Sequence, residues 1–440
     1  MAFGSVTTRK EKIMKKNIKY LSFLPVLLLA SCNFKYEYYL PNGMSFFSEG
    51  GSWGGDESFD DSGSYNIKVW VDSKITNLTE AQINNFVAVN NGKYSITATV
   101  QPMSEGEAAT KMLQDVSSGA DIFIFAQDQL SRLKTANALA AFDDSLSSHL
   151  RANNSADSVE AASIKGKMYA FPTTSDNGYF LYYNKSILSS EDVKDMSTML
   201  AKLKTAKKKL NFDRKNGFYA ASYFLATGCY SHWETDDRTG SFLSYDDNYA
   251  EGDEGVKAGM AYRELADNAV VATKSTWTNS AGAIITGVWE YEYIKSQFGD
   301  NLVCAELPSF TVDGQKYHMS SFDGYKLMGV KPQGDKKKAS VCRKLAEYLT
   351  NSENQLNRFK QVSWGPTNIT ASENADVKAH PALAALAAQH EFAHQQEQCP
   401  GAWFNSLGGL AGSITTTSTE AQIRALLANY KAGLPQLLDE

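Results

Sequence analysis

Cysteine and histidine are scarce in this chain, five and six among 440 residues. Cys229, Cys304, Cys342 and Cys399 are far apart and contain no CxxC pair, so neither a zinc knuckle nor a redox dithiol is indicated. They read as buried thiols or as at most two bridges. Basic residues are in deficit, 43 Lys and Arg against 49 Asp and Glu, net −6. That balance argues against nucleic acid or an anionic membrane surface as the main partner. No stretch beyond residue 31 approaches the roughly 20 apolar residues that a spanning helix needs. No P-loop and no dinucleotide fingerprint occurs, and no cofactor is expected.

What is present begins with a basic segment, Lys15, Lys16 and Lys19, followed by the short apolar run Tyr20 to Ser31. A basic region, an apolar region and a small-residue site make an export signal, predicted here over residues 1–31. Residues 1–13 read as an extension upstream of the natural start at Met14. The tetrad Leu29-Ala30-Ser31-Cys32 resembles the lipobox of bacterial lipoproteins, which implies acylation of Cys32 and a protein anchored outside the membrane at the cell surface or in the periplasm. Residues 32–64, rich in Gly, Ser and Asp, read as a flexible tether. Its aromatics, Tyr36, Tyr38, Tyr39 and Phe46, suit a membrane interface.

The folded part reads as strands alternating with helices. Strands are predicted at Tyr65 to Val71, Tyr94 to Val100 and Gly119 to Phe125, with helices around Thr79 to Val89 and Glu105 to Val116. Such alternation indicates a sheet built from right-handed βαβ units. Apolar strands follow at Lys167 to Pro172 and Tyr179 to Asn184. Beyond them lie a basic helix (Met196 to Leu210), an aromatic helix (Gly217 to Leu225) and a polar acidic loop (Glu234 to Gly255). The strand Ala283 to Gly287 leads into Val288-Trp289-Glu290, and amphipathic helices are predicted at Lys337 to Thr350, Ser352 to Lys360 and Thr419 to Ala432.

Four local patterns resemble the extracellular solute-binding proteins of ATP-driven sugar importers, the maltodextrin-binding type. They are Gly119-Ala120-Asp121-Ile122 through Asp128 with Ala138 to Asp143, Lys165 to Pro172 followed by Leu181-Tyr182-Tyr183-Asn184-Lys185, Gly287-Val288-Trp289, and Trp364-Gly365-Pro366-Thr367 followed by Gly401-Ala402-Trp403-Phe404. Together they span nearly all of Tyr65 to Glu440 in the family's order. The resemblance implies an α/β fold of two discontinuous lobes joined by a hinge, the type II periplasmic-binding-protein arrangement. The lobes would comprise residues 65–174 with 318–367, and 175–317 with 368–440. Crossings are expected near Thr173 to Gly178, Phe310 to Met319 and Pro366 to Ser372.

The implied role is capture of an oligosaccharide, of maltodextrin type, and its delivery by a monomeric receptor to the membrane subunits of an ABC importer. Pyranose rings offer apolar C–H faces to aromatic rings and hydroxyl rims to acids and amides. The resemblance assigns ring platforms to Trp289, Trp403 and Tyr219 and hydroxyl acceptors to Asp128 and Asp176. Phe125 and Glu290 fall beside them at strand ends. The chain departs from the pattern in carrying Gln129 after Asp128, Phe125 where relatives carry tryptophan, and Asp176 instead of glutamate, which leaves the sugar open.

One motif points to a different chemistry. His390-Glu391-Phe392-Ala393-His394 matches H-E-x-x-H, in which two histidines on one helix face bind zinc and the glutamate activates water. The alternative is therefore a zinc metalloprotease. Its third ligand is missing, since Glu397 and Pro400 stand where a metzincin needs Gly and His. The adjacent acids Asp236-Asp237 and Asp246-Asp247 do not set the roughly 5–9 Å separation of glycosidase carboxylates.

Overall fold

The computed structural model describes residues 59–236 and 239–439, with the backbone of two short paired strands, Tyr39–Leu40 and Met44–Ser45. All of these lie in one compact unit, Tyr39–Glu440. Cys32, the signal segment, the tether aromatics Tyr36, Tyr38 and Phe46, and Asp237 lie outside the described residues.

Two five-stranded sheets organise the unit. In the first, Gly63–Val71 lies between Tyr94–Pro102 and Ile122–Ala126, parallel to both. Lys326–Val330 is then inserted antiparallel between Ile122–Ala126 and Ala170–Thr174. The second repeats the plan. Lys209–Asn211 runs parallel to Val271–Ala272 and Ala281–Thr286, and Phe180–Asn184 enters antiparallel between Ala281–Thr286 and Leu302–Ala305. The central strands Ile122–Ala126 and Ala281–Thr286 are buried almost throughout because helices cover both faces, which is why they read as continuous apolar runs. Each sheet has its own core, Phe123, Phe125 and Leu345 in the first lobe, Leu181, Tyr223 and Leu407 in the second.

The opening strand begins at Gly63, and the order begins earlier still. Asp61 is fully buried, where it accepts hydrogen bonds from Ser340 Oγ (2.7 Å), Lys344 Nζ (2.7 Å) and Tyr94 Oη (3.0 Å) and pairs with Lys93 at 2.8 Å. The expected tether therefore ends before residue 61. Three further expectations are corrected. The basic helix stops at Thr205, because Lys207 takes a left-handed turn (φ 56°) into the strand Lys209–Asn211. The acidic loop contains the antiparallel hairpin Ser231–Thr235 and Phe242–Asp247, and Asp247 is buried accepting from Tyr430 Oη at 2.9 Å. Phe310 to Met319 is not a crossing but a hairpin, Ser309–Val312 with Gln315–His318, whose Phe310 stacks on Tyr223 in the second core.

The chain passes from the first sheet to the second between Thr174 and Phe180 and returns between Met319 and Lys326. Thr367 and Asn368 still belong to the first lobe, their N–H groups donating to Gln355 Oε1 at 2.8 and 3.0 Å. The last crossing follows them, before Ala382 packs against the second sheet. Among the described residues no disulfide forms, and burial pushes the thiols of Cys229, Cys304 and Cys342 up to about 12.

Asp61→Ala is expected to lower the unfolding free energy by about 3 kcal/mol in denaturant titrations, since it strands two lysines around an emptied acceptor. Burial alone would raise the Asp61 pKa, but the surrounding donors outweigh it and hold the carboxyl well below its ordinary value. Its contribution is accordingly complete above pH of about 4 and is lost as pH falls further, so wild type and variant should converge in strong acid.

Candidate ligand-binding cleft

A cavity of about 670 Å³ lies between the lobes, within the size range of small-molecule sites. The second lobe contributes three rings, Phe218, Trp289 and Phe404. The first contributes Asp72, Ser104, Glu105, Thr110 and Asp128, together with Lys326 and Trp364.

Glycines set the rings. Trp289 stands in the turn Val288–Glu290 that ends the strand Ala281–Thr286. Its indole folds back over Gly287 so closely that a Cβ there would lie 2.0 Å from the ring. Phe218 opens the helix Gly217–Ala226, capped by Asn216, whose side chain accepts from Phe218 N at 3.0 Å. Phe404 opens the helix Trp403–Ser413. A Cβ on Gly217 would sit 2.0 Å from the Phe404 carbonyl oxygen, so only glycine lets the two helix starts touch. That contact places the Phe218 and Phe404 rings edge to face, centroids 6.0 Å apart.

Of the residues expected in the site, Asp128, Trp289 and Glu290 line the cavity. Phe125 does not. It is fully buried against Phe123 in the first core, as the uninterrupted burial of its strand requires. Tyr219 is buried with its hydroxyl 3.3 Å from Thr286 Oγ1, and burial pushes its pKa up to about 12. Trp403 is buried too, donating from Nε1 to Tyr430 Oη at 2.8 Å. In both cases the adjacent residue, Phe218 or Phe404, faces the cavity, because one step along a helix turns a side chain by about 100°. Asp176 is fully buried behind the wall, accepting from Thr174 Oγ1 (2.6 Å) and Gly365 N (3.2 Å).

The lobes touch around the cleft. Lys74 Nζ, following the first strand, donates to the Trp289 carbonyl (2.6 Å) and to Glu290 Oε1 (3.0 Å). Toward the hinge, Gln396 Nε2 donates to Asp128 Oδ1 at 2.8 Å while accepting from Asn177 Nδ2 at 2.7 Å. Gln398 Nε2 donates to the Gln127 carbonyl at 2.6 Å, and its Oε1 accepts from Ser131 N at 2.9 Å. These amides satisfy buried backbone and carboxylate groups without adding charge.

His390 to His394 carries no zinc-type helix face. The helix Pro381–Gln389 ends first, at Gln389, whose buried amide accepts from Leu307 N and donates to the Met319 carbonyl. His390 lies in the following turn, paired with Asp323 at 2.7 Å, and His394 lies in the strand Ala393–Gln395 beside Phe322. Among the described residues no group of three or more His, Cys, Asp or Glu side chains is arranged to hold a metal ion.

Residues 81–385 match the family model of the bacterial extracellular solute-binding proteins. The chain belongs to this family. As a solute-binding protein it binds its ligand without transforming it, and the family works outside the cytoplasm, in the periplasm or at the cell surface. A maltotriose-binding protein of Pyrococcus abyssi is 23% identical over 341 residues, 74% of this chain and 72% of that protein. Among solved structures, the ligand-free maltodextrin-binding protein of L. casei superimposes with a TM-score of 0.70 at 24% identity, covering 86% of this chain and 99% of that one. The maltose/maltodextrin-binding domain of Bdellovibrio bacteriovorus, bound to maltotriose, gives 0.70 at 19% identity, covering 86% and 100%. These likenesses confirm the two-lobed type II fold.

Gly287→Ala should evict the Trp289 indole from the cleft, quenching or shifting its fluorescence while far-UV circular dichroism stays unchanged. Asp128 gives a second test. Burial pushes its carboxyl up to about 6 from a reference value of 3.8, against the opposing hydrogen bond from Gln129. The native state thus holds a proton that the unfolded chain has lost, and unfolding free energy should fall by up to about 3 kcal/mol as pH rises between about 4 and 6. In Asp128→Asn that decline should be absent from a pH series of denaturant titrations.

Proposed function

We propose that this solute-binding protein captures a carbohydrate, a maltodextrin-like oligosaccharide, and delivers it to an ABC importer. The observation that carries the reading is the cleft itself, where three rings of the second lobe face the hydroxyl and carboxylate groups of the first. Stacked rings suit the apolar faces of pyranoses, and acids whose charges are already paired within the wall suit their hydroxyl rims. The names of the relatives, maltotriose- and maltodextrin-binding proteins, point the same way.

Lobe rotation about the crossings between 174 and 180, 319 and 326, and beyond 368 would open and close the cleft, since ligand touches both walls only when they approach. Acylation at Cys32, with residues 32–60 as tether, would hold the receptor near its permease as a monomer. Within this reading Asp128, Trp289 and Glu290 keep their assignment as ligand contacts, and Phe218 and Phe404 replace Tyr219 and Trp403.

A thermal-shift panel of sugars, polyols and peptides checks the proposal. Maltotriose at 100 times its Kd should stabilise the protein by about 2.7 kcal/mol, and Trp289→Ala should weaken its affinity at least tenfold while the far-UV circular dichroism of the ligand-free protein stays unchanged. A panel in which no sugar shifts the transition would refute the carbohydrate reading. Affinity unchanged by Trp289→Ala would return that ring to the core.

A further inference from the structure

The floor of the cleft holds a buried cation whose two carboxylate partners both stand beyond hydrogen-bond distance. Lys326 opens the strand Lys326–Val330, is 3% exposed and lines the cavity. Its Nζ lies 3.9 Å from the Trp364 ring centroid in the first lobe and 5.3 Å from that of Trp289 in the second. Two carboxylates face it, Glu105 at 3.6 Å and Asp176 at 3.9 Å, both beyond hydrogen-bond distance. Asp176 is occupied by Thr174 and Gly365. Glu105 Oε1 is buried with no hydrogen-bond partner. Burial alone would lower the Lys326 pKa, but the carboxylates of Glu105, Asp176 and Asp72 outweigh it and raise the value, so the ammonium stays charged.

A charged donor and a carboxylate acceptor thus border one cavity 3.6 Å apart, too far to bond each other well yet close enough for one oxygen beside the pair to reach both. Leaving such groups paired by charge but without a close hydrogen bond is costly, more so for charges than for neutral polar groups. An anion between them would meet Glu105 and Asp176, and a cation would meet Lys326. A group that accepts and donates through one oxygen satisfies both, and the flanking indoles suit carbon-bound hydrogens on either side of it.

We propose that Lys326 and Glu105 form a hydroxyl-binding subsite at the cleft floor, the ligand oxygen accepting from Nζ and donating to Glu105 Oε1 between the Trp289 and Trp364 rings. This rests on the carbohydrate reading and narrows it. The subsite selects a neutral polyhydroxylated ligand and discriminates against phosphorylated or carboxylated sugars, because an anionic group here would face two acids for one cation.

Calorimetric titration of the purified protein with maltotriose and its monodeoxy analogues tests the assignment. Lys326→Met keeps the stem between the indoles and removes the donor, and Glu105→Gln keeps shape and removes the charge. Each should weaken maltotriose binding at least tenfold, and the double variant should lose less than the product of the two, as groups sharing one ligand oxygen must. One deoxy analogue should bind wild type at least tenfold more weakly than maltotriose yet show less than a twofold loss on Lys326→Met. If wild type binds maltotriose while both variants bind it within twofold, the subsite is wrong and the carbohydrate reading stands. Wild type that binds none of the sugars overturns both. Should Lys326→Met fail to fold, Glu105→Gln with the deoxy series decides the same question, tenfold loss and loss of deoxy discrimination supporting the subsite and wild-type affinity refuting it.

Discussion

The first sheet is completed by a strand that the chain supplies only by crossing to the second lobe and back. Lys326–Val330 enters the first sheet antiparallel after a long excursion through the second, and Phe180–Asn184 enters the second directly after leaving the first. The first sheet therefore closes only from discontinuous segments, whereas the second is built from the continuous stretch 180–305, and the two crossings lie side by side, Asn177 N donating to the Gly324 carbonyl at 3.1 Å. The residues that begin or flank those strands, Asp176, Asn177 and Lys326, consequently sit at the cleft floor or just behind it. Placement of polar groups in the site follows from how the sheets are completed.

The same constraint explains the electrostatics. Charges that face the cleft are matched by opposite charges or by amides: Lys74 with Glu290, Lys326 with Glu105 and Asp176, Asp128 with the amides of Gln129 and Gln396. A wall so matched presents polar groups without a net field strong enough to demand an ion, which suits a neutral ligand. Trp289 packs against both cores, so the ring at the centre of the site also reports how the lobes stand.

Much of the architecture was legible along the chain. Alternation at Tyr65 to Val71 and the apolar run at Ile122 to Phe125 marked strands because burial on one or both faces writes itself into residue choice. The Thr419 cap and the periodicity of Lys336–Leu349 marked helices for equally local reasons. The local signals failed at Phe242–Asp247, whose polar residues pair only because Ser231–Thr235 lies opposite. They failed again at His390 to His394, where a helix period continues on paper but Gln389 is spent on capping Leu307 and Met319.

Of the seven candidate residues three line the cavity, and each of the other four is next in sequence to one that does. Sequence by itself determined the alternation of strands and helices, the tryptophan turn at Gly287-Val288-Trp289 and the aromatic helix beginning at Gly217, because these depend on local spacing, and its resemblance to a family supplied the class of fold. Only the tertiary structure decided that Phe218 and Phe404 face the cleft while Tyr219 and Trp403 support it, that Asp176 lies behind the wall, and that Lys326 stands at its floor. Which face of a helix meets the cleft and which meets the core is set by the neighbour it packs on, and those neighbours, nearly 200 residues apart for Gly217 and Phe404, are brought into contact only by folding.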